Sequence, residues 1–302
     1  MKISVVIPNY NGRLLLENNL GQVFKRADVD EVIVVDDAST DDSVSYIKAN
    51  FPKVKLIEIV VNKGFSTAVN LGVKAAGGDL IALLNTDAIP EKDFLQFALP
   101  HFSDPGLFAV GCLDRSIEGQ NSVERGRGVG RFHRGFLMHE RGDTDKANTL
   151  WVSGGSGIFR KVIWEQLEGM DEMYNPFYWE DIDLSYRAQK VGYKVMFEAK
   201  SIVVHRHGEG AIKIHHSKET IHSIAYRNQF LFVWKNISDN SFLVEHLIWL
   251  PFHLGTMFVK GEWPFFKGFG QALLHLPEII NQRLSRQNRI IRTDREILAL
   301  FS

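Results

Sequence analysis

The chain has 302 residues, 45% of them hydrophobic and 24% charged, enough for one large globular domain or one domain with a modest appendage. A formal net charge of -1 gives no field that would draw nucleic acid or an acidic polymer. Cys112 is the single cysteine, which excludes an internal disulfide and fits a reducing compartment.

The opening MKISVVIPNYNG enters a β-branched strand without the charged and then apolar pattern of a signal peptide, so a cytoplasmic location is expected. Ile3 to Ile7 reads as the first strand, and Leu14, Leu15, Leu20 and Phe24 as one face of a helix. Glu31 to Val35 is a second strand running into Asp36-Asp37, and Ser39 to Asp42 looks like a helix start. Val54 to Val61 is a third strand, followed by the turn Asn62-Lys63-Gly64 and a helix over Thr67 to Ala76. Leu80 to Leu84 is a fourth strand ending at Asn85-Thr86-Asp87. Near-continuous Val/Ile runs between helical segments predict an α/β fold, a mostly parallel sheet flanked by helices. Ligands of such sheets bind beyond the carboxyl ends of the strands. Three polar clusters meet there: Pro8-Asn9-Tyr10-Asn11, Asp36-Asp37 and Asn85-Thr86-Asp87.

Residues 114 to 148 mix Arg125, Arg127, Arg131 and Arg134 with Gly126, Gly128 and Gly130 without a period. They are expected to form a long loop or flap touching the acceptor. Tyr178-Trp179-Glu180-Asp181 opens a helix that suits an end at Gly192, and strands follow near 194 to 199 and 202 to 204. Beyond Ile237 the character changes. Phe242 to Val259 is apolar but broken by Glu245, His246, Pro251 and His253, so a clean membrane span is not expected. The aromatics around Trp263 and the arginines from Arg283 to Arg295 suit a membrane surface, a dimer interface or simple packing.

No G-x-G-x-x-G stands after the first strand and no P-loop occurs, so a phosphate-bearing ligand would need a carboxylate-held divalent cation. Asp87 could hold it, or could simply begin the next turn. Asp36-Asp37 could accept a hydrogen bond from a base N–H, or cap the next helix. Glu180-Asp181 could supply a general base, favoured as an anion by the helix N-terminus, or plain capping. His205 and His207 point to opposite strand faces, so one of them at most joins a given site.

Taken together, VVIPNYNG, VIVVDDASTDDS, NKGFSTAVNLGVKAAGGDLIALLNTD, SGGSGIFRK, WEDIDLSYRAQKVGYKV and VVHRHGEG resemble glycosyltransferase family 2 over roughly Lys2 to Asn236. The sequence is most similar to rhamnosyltransferase-like bacterial members. The resemblance implies an inverting enzyme with a GT-A catalytic domain at 1–236 and a helical extension at 237–302. It implies that Pro8, Tyr10, Asp36, Asp37, Asn62, Lys63 and Gly64 border the nucleotide. Asn85-Thr86-Asp87 stands at the family's D-x-D position, with Asn85 departing from it. Asp87 and His205 would then bind Mn²⁺ or Mg²⁺. Asp181 matches the catalytic base, Glu180 and Trp179 the acceptor side, and Gly154 and Gly155 a close approach to donor sugar or acceptor. A UDP-, dTDP- or GDP-sugar donor and a saccharide or lipid-linked acceptor are implied. A nucleotidyltransferase and a non-catalytic sugar-nucleotide-binding protein remain as alternatives.

Overall fold

The structure is a computed structural model and describes residues 1–25, 29–118, 121–205 and 216–301. In chain order the elements are β1 (Ile3–Asn9), α1 (Arg13–Phe24), β2 (Glu31–Asp37), α2 (Ser43–Asn50), β3 (Lys55–Ile59), α3 (Phe65–Ala75), β4 (Leu80–Leu84), β5 (Ala88–Pro90) and α4 (Phe94–Ala98). Then come β6 (Leu107–Glu118), β7 (Asn121–Arg125), β8 (Gly128–His133), β9 (Phe136–Arg141), β10 (Ser156–Arg160), α5 (Lys161–Gln166), α6 (Glu180–Lys190) and β11 (Lys194–His205). The chain closes with α7 (Lys218–Asn236), α8 (Asn240–Lys260), α9 (Trp263–Leu274), α10 (Leu276–Arg286) and α11 (Asp294–Leu298).

Among the described residues nine strands form one sheet in the order β3-β2-β1-β4-β10-β6-β11-β5, with β7 paired to β6. The first four strands are mutually parallel, and β10 enters antiparallel between β4 and β6. Alternate residues of each strand point to opposite faces, and both faces are covered. Val5, Ile7, Val34 and Ala82 pack with Leu16, Leu20 and Ile47 of α1 and α2. Val6, Ile33, Val35 and Leu83 pack with Val69 and Val73 of α3 and Leu184 of α6.

Residues 114 to 148 are largely strands, not the expected loop. The inward positions of β8 are Gly128 and Gly130, both buried, while Arg131 and His133 face out. A side chain at Gly128 would collide with the Trp151 ring, so the strand buries backbone against an indole. Alternation of apolar with polar side chains is therefore missing, and the strand leaves no periodic trace. The two strands expected after residue 194 are one, β11, whose register against β6 shifts between Glu198 and Ile202.

The helical region begins at Lys218, inside the stretch expected to be the catalytic unit. It shares an aromatic core with the segment after 237: the Phe230 ring lies 5.4 Å from Phe265 and 5.1 Å from Phe269, beside Trp179 and Tyr186. The late arginines serve this packing. Arg283 donates to the carbonyls of Trp234 and Ile237 at 2.9 and 2.6 Å, Arg286 approaches Glu168 at 3.3 Å, and Arg295 donates to Ser241. Buried Asp294 pairs with Lys190 at 2.8 Å and accepts from the Ser238 and Asp239 amides, pinning the start of α8 to α6.

Candidate active site

Because β1, β2 and β4 are parallel, their carboxyl ends meet on one edge of the sheet. Asn9 is buried there and donates to Asp36 at 2.7 Å; Ser39 donates to the same carboxylate through its amide at 2.9 Å and its hydroxyl at 2.7 Å. Asp37 accepts from the amides of Lys63 and Gly64 at 2.8 and 2.7 Å, and Asn62 donates to its carbonyl. Burial raises the Asp37 pKa, and those two amides oppose the shift. The pair thus ties the turns after β1, β2 and β3 into one wall beside half-buried Pro8 and Tyr10. Neither acid caps α2, whose N-cap position is Asp42; the Ser43 amide at its start donates to Asp41 at 3.0 Å.

β11 delivers the second part. His205 stands in register with Ala88 on one side and Ser116 on the other. Its Nε2 lies 4.0 Å from Asp87 Oδ1, and its Nδ1 lies 2.7 Å from Asp114 Oδ2. Asp114 was not singled out by the sequence, and its signal was only an acid two residues before the strand partner of His205. A carboxylate on one imidazole nitrogen fixes the tautomer and presents the other nitrogen to a cation. Among the described residues no three or more His, Cys, Asp or Glu gather into a ready-made cage. That donor set fits Mg²⁺ or Mn²⁺, which one or two protein ligands hold together with substrate phosphates and water. His207 lies outside the described residues.

The third part sits across a glycine bridge. The Asn85 amide donates to the Gly155 carbonyl at 3.0 Å, and the Gly154 amide donates to Asp181 Oδ2 at 3.3 Å. A Cβ on Gly155 would strike the Asn85 side chain, so the close approach that glycine permits here is to Asn85 itself. Asp181 begins α6, and its Oδ1 also accepts from the Ile182 amide at 2.8 Å. Burial raises its pKa while those amides hold it down. Glu180 is pushed well above the ordinary range by burial and then by the Asp181 charge, and its Oε2 is buried without a hydrogen-bond partner. Of the two acids, Asp181 has the amide donors that favour its ionised form, whereas burial and its acidic neighbour favour the protonated form of Glu180.

Two consecutive residues before this pair, Tyr178 and Trp179, have φ of 72 and 76°, a strained left-handed conformation for bulky side chains. Asn228 of α7 holds it by donating to the carbonyls of Tyr174, Phe177 and Tyr178 at 3.0, 2.9 and 2.8 Å. Trp179, expected on the acceptor side, is only 6% exposed, packed between His139 and Phe232. The ring open to a ligand is Tyr178, at 38%. One turn further along α6, Asp183 gathers Arg187, Lys235, Tyr174 and Asn236 at 2.6 to 3.0 Å. A hollow of about 520 Å³ lined by Glu91, Phe97, Arg115 and Lys200 contains none of these residues.

Residues 4–167 match the profile of glycosyl transferase family 2. The chain belongs to that family. Membership implies transfer of a glycosyl group. The chain is similar to the O-antigen chain rhamnosyltransferase RfbN of Salmonella typhimurium, 27% identical over 68% of this chain and 67% of that one. It spans only 37% and 27% of two other curated relatives. Among solved structures, TarS 1-349 of S. aureus in complex with UDP-GlcNAc superposes over 99% of this chain and 91% of its own, with a TM-score of 0.63 at 16% identity. GalNAc-T7 with UDP, GalNAc and Mn²⁺ covers 78% of this chain and 48% of its own, with a TM-score of 0.63 at 19% identity. These likenesses show the GT-A fold.

Proposed function

We propose that this chain is an inverting glycosyltransferase that moves a sugar from a nucleotide-diphosphate donor to a hydroxyl of a saccharide or lipid-linked acceptor. The observation that carries the reading is the glycine bridge, which sets Asp181 next to the carboxyl end of β4, where Asp87 and His205 stand. The walls formed by Asp36, Asp37 and residues 62 to 64 receive the nucleotide, with Pro8 and Tyr10 at their border. A donor diphosphate lies toward Asp87 and His205; a bound Mn²⁺ or Mg²⁺ would offset the charge growing on the departing diphosphate. Asp181 takes the proton of the acceptor hydroxyl as that oxygen attacks the anomeric carbon and the bond to the diphosphate oxygen breaks. A single displacement inverts the configuration. Glu180 and exposed Tyr178 lie on the acceptor side.

The relatives' names support bacterial cell-surface polysaccharide as the product class, and neighbours bound to UDP-GlcNAc and GDP-Man support UDP- or GDP-sugars as donors, with dTDP-sugars kept in the panel. We place the enzyme in the cytoplasm, peripheral to the inner membrane face. The test is release of nucleoside diphosphate from a panel of sugar nucleotides with Mn²⁺. Metal-stimulated hydrolysis that disappears in Asp181→Asn without loss of donor binding supports the reading. Release of pyrophosphate, or donor binding in every case without turnover on any acceptor, would overturn it.

A further inference from the structure

α8 is 21 residues long and apolar enough by composition to cross a membrane, yet only 6% of its apolar stretch is buried. Between Asn240 and Ser241 at its start and Lys260 at its end, its exposed residues are Val244, Leu247, Ile248, Pro251, Phe252, Gly255, Phe258 and Val259, a spacing of three and four that defines one helix face without a charge. The opposite side is occupied: Phe242, Leu243, Leu250, Leu254 and Met257 pack on the aromatic core, with polar contacts beside them. His246 Nδ1 lies 2.6 Å from the Gly135 carbonyl and His253 Nε2 2.8 Å from that of Arg134, while the Gly135 amide donates to Glu245 at 3.1 Å. The Trp234 indole N–H donates to His246 Nε2. Those contacts fasten α8 along the catalytic body, so its exposed apolar surface is a stripe and not the whole circumference.

We propose that the outer face of α8 seats on an anionic lipid bilayer, lying in the headgroup plane, and that this brings the acceptor end of the site to a lipid-linked acceptor. Charge selects this occupant. The only acid within α8, Glu245, is turned to the β8–β9 turn, whereas exposed Arg134 lies over Trp249 of the same helix and exposed Lys260 ends it. Arg134 lies over the Trp249 ring at 5.1 Å, which places an indole and a guanidinium together at the edge. The same hairpin reaches the site: its tip is clamped by α8, and His139 of β9 packs on Trp179 at 4.9 Å, the residue before Glu180. The proposal rests on the glycosyltransferase reading for its acceptor and on the α8 surface alone for its membrane.

The test is flotation of the full chain with phosphatidylglycerol/phosphatidylethanolamine vesicles, alongside donor hydrolysis in vesicle-free solution. Leu247→Glu/Phe252→Glu alters two exposed side chains, and Val162→Glu adds charge at an exposed residue of α5 as a control. Wild type and control are expected to float, and the double variant to bind about tenfold or more weakly with its hydrolysis unchanged. Wild type left in solution, or equal flotation of the double variant, would overturn the proposal. So would self-association of the wild type that the double variant abolishes without any vesicle binding. Hydrolysis without flotation sinks the membrane surface alone; flotation without donor binding sinks the glycosyltransferase reading alone.

Discussion

Asp114 and His205 face each other from the neighbouring parallel strands β6 and β11, with 2.7 Å between carboxylate and imidazole. The Ser116 hydroxyl donates to the other Asp114 oxygen at 2.9 Å, so the acid is itself oriented. The imidazole is thereby held with its other nitrogen toward Asp87.

Replacing Asp114 with alanine is expected to weaken Mn²⁺ binding in the presence of nucleoside diphosphate by about 10- to 100-fold. Calorimetric titration of Mn²⁺ reads this directly. Unchanged affinity would mean that the pair only packs the sheet.

The two acids at the start of α6 should respond oppositely to amide replacement. Asp181→Asn removes the base and is expected to lower kcat by about 10²- to 10⁴-fold with donor binding retained. Burial and the Asp181 charge favour the neutral form of Glu180, which Glu180→Gln mimics, so a much smaller loss is expected. Burial raises the Asp181 pKa, and a base works only when deprotonated. Activity should therefore fall on acidification at a pH above the ordinary 3.8 of an aspartate. A profile of kcat against pH checks this, and an acid limb at or below that value would contradict it.

Lys235 is buried between Asp171 and Asp183, 2.7 and 2.6 Å from their carboxylates. Burial alone would raise both acids, but the neighbouring cations outweigh it and hold them below the ordinary range: Lys235 leads at Asp171, and Arg187 and then Lys235 at Asp183. Lys235→Met strands buried charge and should cost about 3–5 kcal/mol at neutral pH. Depressed carboxylates stabilise the fold above their unfolded pKa, and that contribution is lost as pH falls through the folded one. The gap between wild type and variant should accordingly narrow below about pH 4. Denaturant melts at pH 7 and 3.5 would show it, and a constant gap would exclude the mechanism.

Asn228→Ala leaves the carbonyls of Tyr174, Phe177 and Tyr178 without their donor next to a strained backbone. About 1–3 kcal/mol of stability should be lost. We also expect kcat to fall more than donor affinity, because the loop sets Glu180 and Asp181 and not the nucleotide wall. Equal losses in both would place Asn228 outside the acceptor side.

The N-terminal half of the sheet was legible in the sequence because local pattern suffices there. Val/Ile runs make strands, polar residues end them, and parallel connection brings Asn9, Asp36-Asp37 and Asp87 to one edge. Asp181 could likewise be read from acids at a helix start. The hairpin at 128–141 was not legible, because its inward positions are glycines that bury backbone against Trp151 and Leu150 and leave no hydrophobic period. Asp114 and Asn228 escaped for a different reason: each acts on a partner far along the chain, and only strand pairing or helix packing creates the contact. The tail shows the division most plainly. Its apolar and basic residues follow from composition, but only tertiary packing decided that the arginines fasten it to the catalytic body and that the uncharged face of α8 points outward. A helix's side chains are set by sequence; which face meets protein depends on the surfaces folded beside it.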